Sequence, residues 1–77
     1  MDLEQSNFLI KAYGFGELAQ MYLPDIKSRS ASARLSIWIN HNPHLQKALD
    51  HAGYRKGMKV LTPRMVHSII DSLGYPK

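Results

Sequence analysis

The sequence has no cysteine, which excludes a disulfide framework and a thiolate metal site. It has no apolar run long enough to span a bilayer, so no membrane role is expected. Acid is scarce: six Asp and Glu stand against ten Lys and Arg. Those six (Asp2, Glu4, Glu17, Asp25, Asp50 and Asp71) are scattered, without the pairing that general acid–base chemistry needs. Gly14-Phe15-Gly16 is too short to cradle a phosphate, and no serine sits in a nucleophile elbow. His41, His44 and His51 lie near one another, but Asn42-Pro43 breaks the chain between the first two. No cysteine or carboxylate shell accompanies them, so surface histidines without a metal are the expectation. Met58 and Met65 read as core filler rather than as part of a methionine-rich groove. The start, Met1-Asp2-Leu3-Glu4-Gln5, is acidic with no apolar run behind it. It does not read as a targeting peptide, and the expected location is the cytoplasm. Together these absences point away from an enzyme, a cofactor and a small-molecule substrate, and toward a protein that works by binding.

What is present is enough for one folded domain. The chain has 77 residues, 44% of them hydrophobic and 9% aromatic, which separates it from disordered compositions. So short a chain buries a modest share of its surface and is marginally stable. It must rely on good helix packing or on a partner subunit. A formal net charge of +4 favours anionic partners, nucleic acid or an acidic protein surface.

Residues 1–7 are polar and expected to be flexible, leaving a single domain over 8–77. Phe8-Leu9-Ile10-Lys11-Ala12-Tyr13 reads as a strand or extended arm that Gly14 and Gly16 terminate. A first helix is expected from Glu17 to Leu23, with Leu18, Met21 and Tyr22 on one face. Pro24 stops it. A second helix is expected from Ser30, as cap, to His41, with Ala31, Leu35, Trp38, Ile39 and Asn42 on one inward arc and Trp38 as anchor. Asn42-Pro43 opens a third, striped by Leu45, Ala48, Leu49 and Ala52 and ended by Gly53. Thr62-Pro63 opens a fourth, whose Met65, Val66, Ile69, Ile70 and Leu73 make the cleanest amphipathic pattern in the chain. Between the last two, Met58–Leu61 could form a strand that pairs with the arm. The expected fold class is mainly α, a small four-helix domain with a short two-stranded β ribbon as an option.

The second helix carries the functional expectation. Opposite its apolar stripe lie Ser30, Ala33, Arg34, Ile37, Asn40 and His41. Arg can fork onto guanine, Asn onto adenine, and an exposed Ile suits a thymine methyl or a protein surface. Lys27, Ser28, Arg29, Ser30 and Ser32 surround the helix start, where free N–H groups and the helix dipole favour phosphate. Arg55, Lys56 and Lys59 form a second basic loop, placed like a small wing.

Glu17-Leu18-Ala19-Gln20 followed by Ser30-Ala31-Ser32-Ala33-Arg34-Leu35-Ser36-Ile37-Trp38-Ile39 resembles a helix-turn-helix pair. The stretch between the helices, Pro24 to Arg29, is longer than the usual turn. The expected partner is double-stranded DNA, for an accessory transcriptional regulator of a mobile element. The alternative is a homodimer or protein–protein module with no nucleic-acid role. A second resemblance runs through 11–19, Ser30-Ala31-Ser32, Trp38-Ile39-Asn40, Asn42-Pro43 and Val60-Leu61-Thr62-Pro63. These residues resemble a family of short uncharacterised proteins from Bacteroides and relatives, a domain of unknown function. That resemblance implies a stand-alone bacterial or phage-associated protein and supplies no activity, cofactor or site.

Overall fold

Two Xaa-Pro pairs set the helical frame. Asn42 accepts the Leu45 N–H on its side-chain oxygen at 3.1 Å, and Thr62 accepts the Met65 N–H at 3.3 Å. In each case a proline follows at the first helical position, where it forfeits no intrahelical bond. The computed structural model describes residues 8–76; the flexible segment expected at 1–7 lies outside the described residues. Their elements run β1 (Tyr13–Gly14), α1 (Phe15–Tyr22), α2 (Ser28–Asn40), α3 (Pro43–His51), β2 (Val60–Leu61) and α4 (Pro63–Leu73). The fold is therefore mainly helical, four helices with a small antiparallel sheet, as the sequence patterns anticipate.

The core takes one or more residues from every element except the start of the arm. Leu18, Leu35, Leu45, Leu49, Leu61, Val66 and Ile69 are fully buried. The α4 stripe is inward as expected, with Met65, Val66, Ile69 and Ile70 buried. At the far end of α4 the Tyr22 hydroxyl donates to the Gly74 carbonyl at 2.6 Å, and burial pushes the Tyr22 phenol up to about 12. Among the described residues no helix is long and apolar enough to cross a membrane.

Several local expectations are corrected. The ribbon is only two residues wide, with Tyr13 opposite Leu61 and Gly14 opposite Val60. The arm at 8–12 does not pair. It turns back, so that the Tyr13 hydroxyl donates to the Leu9 carbonyl at 2.8 Å and Phe8 stacks on Tyr13. Gly14 does not end a strand so much as start a helix: its N–H donates to the Glu17 carboxylate, and the Phe15 N–H donates to the Lys59 carbonyl at 2.8 Å. α1 thus begins two residues before Glu17. Gly16 falls inside it, and a β-carbon there would sit 2.5 Å from the Ser28 hydroxyl. That missing carbon, with fully buried Ala19 and Ala31, lets α1 and α2 cross closely. Trp38 is half-buried and meets Tyr22 edge-on at the rim of the core instead of anchoring its centre.

Candidate nucleic-acid interface

Helix α2 starts at Ser28, earlier than expected, so Ser30 lies in its first turn and is not the cap. Lys27 holds the cap position with extended backbone, and its side chain makes no cap hydrogen bond to the helix start. The first turn has no acidic residue, and neither has the rest of the helix. Uncompensated N–H groups and the positive end of the dipole therefore face solvent between Lys27 and Arg29.

Only Ala31, Leu35 and Ile39 of α2 are buried. At about 100° per residue, the face away from them runs from Arg29 through Asn40, Ala33, Ile37, Ser30 and His41 to Arg34. Every one of these is exposed. Ile37 stands near the middle of that arc and is 48% exposed, as its position opposite the apolar stripe requires. Arg34 and His41 form one edge of the arc, on the side of Trp38. Arg29 and Asn40 form the other, so the two edges are roughly 120° apart.

Beside that second edge a groove opens. Ser28, Ser32 and Ser36 recur every four residues along α2, and they face the chain that returns from α3 to β2. That return segment is ordered by a turn in which the Met58 N–H donates to the Arg55 carbonyl at 3.1 Å. Gly57 supplies the left-handed position at φ 93°, which a side chain would strain. Lys56 and Lys59 line the groove opposite the serines, in an open volume of about 430 Å³. The structure thus brings Ser32, Lys56 and Lys59 together. Arg55 is exposed at the start of the turn but does not line the groove. Lys27, Arg29 and Ser30 remain at the helix start, and Arg34, Ile37, Asn40 and His41 on the outer arc.

Two residues escape the sequence reading. Ser36 joins Ser28 and Ser32 in one polar stripe, and the four-residue spacing is the available signal. Tyr54 is the other. Its ring stacks on Phe15 with centroids 6.4 Å apart, its N–H donates to the Leu49 carbonyl at 2.9 Å, and burial raises its phenol pKa. Nothing local marks it, because its role depends on Phe15, far away in sequence. Among the described residues no group of three or more His, Asp or Glu converges to hold a metal ion.

A family model described as a domain of unknown function (DUF4248) matches residues 9–76. No curated protein and no solved structure matches the chain.

Proposed function

We propose that this chain, which belongs to the DUF4248 family, is a small binding protein that docks duplex nucleic acid with α2. One observation carries the reading. A thirteen-residue helix without a single acid turns outward an arc holding two arginines, an asparagine and a histidine, and starts at an uncapped, dipole-positive end. In this reading α1 and α2 work as a helix-turn-helix-type pair whose close crossing at Gly16 fixes the angle of α2. Arg34 and Asn40 meet base edges on either side of Ile37, which fits a thymine methyl. Lys27, Arg29 and Lys56 take phosphates, and the turn holding Lys56 and Lys59 supplies the winged contact.

Titration of a duplex across a salt series tests this. Affinity should fall steeply with salt, and Arg29→Ala with Arg34→Ala should weaken binding by about 1–3 kcal/mol per arginine. No binding at low salt, or a double variant that binds as the parent does, overturns the reading. The exposure of Ile37 favours one second reading, a protein surface that includes a second copy of this chain. Its mark is a dimer that Ile37→Asp dissociates without changing duplex affinity.

A further inference from the structure

The serine-lined groove does not end at Ser36. It continues into a smaller cavity of about 270 Å³ between α2, α3 and Tyr54, and the two share Ser36, Tyr54 and Lys56. The halves differ in chemistry. The larger one has two cations, Lys56 and Lys59, facing hydroxyls. The smaller one has an apolar floor, Ile39 and Leu49, rimmed by Asn40, Gln46 and Asp50. An apolar floor with a few convergent polar groups is the usual form of a small-ligand site. Asn40 lies four residues after Ser36 on α2, and Asp50 four after Gln46 on α3, so each pair shares a helix face turned into the cavity.

We propose that this two-part cleft is a nucleotide site, with the base in the smaller half and the phosphate in the larger. Tyr54 sits at the junction. Its ring is backed by Phe15 and held by its backbone bond to Leu49, so it offers a fixed stacking surface. Asn40 and Gln46 can donate and accept at a base edge, whereas the Asp50 carboxylate only accepts. The cleft therefore favours a base with an exocyclic amino group, adenine, cytosine or guanine, over uracil, and AMP and CMP represent that class in the test. Lys56 and Lys59, with Ser28 and Ser32 opposite, take the phosphate. A free nucleotide and an unpaired nucleotide within a strand present the same chemistry. The site shares Asn40, Lys56 and Lys59 with the duplex reading but uses neither Arg29 nor Arg34, so the arginine variants tell the two apart.

The test is backbone-amide NMR of the full chain titrated with AMP, CMP, UMP and inorganic phosphate at constant ionic strength. A single-stranded oligodeoxyadenylate and a blunt duplex form two further arms. AMP and CMP should shift the amides of Ser36, Tyr54 and Lys56 saturably and more tightly than UMP. Phosphate alone should perturb only the Lys56–Lys59 end. Tyr54→Leu and the pair Lys56→Ala with Lys59→Ala should each weaken AMP about tenfold. Tyr54→Phe, which keeps the ring, should retain binding and control for folding. Arg29→Ala with Arg34→Ala should leave AMP affinity unchanged, which separates this site from the duplex surface. Saturation by the oligonucleotide but not by AMP assigns the site to a nucleotide within a strand. The proposal is overturned by any of three results: no saturable shift with either mononucleotide or strand, phosphate reproducing the AMP shifts, or UMP binding as tightly as AMP.

Discussion

Helices α2 and α4 are of similar length and both lie against the core, yet they are built from opposite materials. α4 has a side-chain cap, a proline at its first position and four buried apolar residues in two turns. α2 has no side-chain cap, buries two aliphatic residues and one alanine, and carries serine, arginine and asparagine elsewhere. Local rules explain α4 completely. In α2 the same rules are left unsatisfied, and unsatisfied helix ends and exposed aliphatic groups are what a binding surface is made of. The comparison separates residues that hold the domain together from residues left free to meet a partner.

The largest expected contrast is between two isoleucines. Ile69 in α4 is wholly buried and Ile37 in α2 is 48% exposed. Ile69→Ala should cost about 2–5 kcal/mol in denaturant unfolding, and Ile37→Ala should stay within roughly 0.5 kcal/mol of the parent. Equal losses would erase the distinction between the helices. The next effect tests how α2 is seated. Gly16→Val drives a side chain toward the Ser28 hydroxyl and should lose about 1–3 kcal/mol. Ser28→Ala in the same chain should restore part of that stability. A Gly16→Val protein with parental stability would mean that α1 and α2 do not cross as closely as the structure places them. The smallest contrast concerns the two helix starts. Thr62→Ala removes a bonded cap and should cost about 1 kcal/mol, while Ser30→Ala, lacking any cap bond, should change the melting midpoint very little. A larger loss at Ser30 would show that α2 is capped after all.

Much of this could be read without coordinates. Asn42-Pro43 and Thr62-Pro63 marked helix starts because a cap and its proline act within three residues of each other. The Ile and Val spacing of α4 marked a buried face because the period belongs to the helix alone. The start of α2 differs from its sequence signal because Ser30 is a good cap by type, while the chain enters the helix through Lys27. Gly16 carries the signal of a break because a glycine looks the same locally whether it ends a strand or admits a neighbouring helix. Trp38 sits at the rim because size sets how much a residue can bury, not where the helix places it.

The sequence by itself determined the helical class, two of the four helix starts, the inward face of α4 and the outward position of Ile37. Each follows from interactions between residues close along one chain segment. Only the tertiary structure decided that Ser28, Ser32 and Ser36 face Lys56 and Lys59. It alone set Asn40 of α2 and Gln46 and Asp50 of α3 around one cavity, with Tyr54 held against Phe15. Those neighbours meet through the crossing of helices and the path of a turn, which depend on packing among all the elements and leave no period in the sequence to be read.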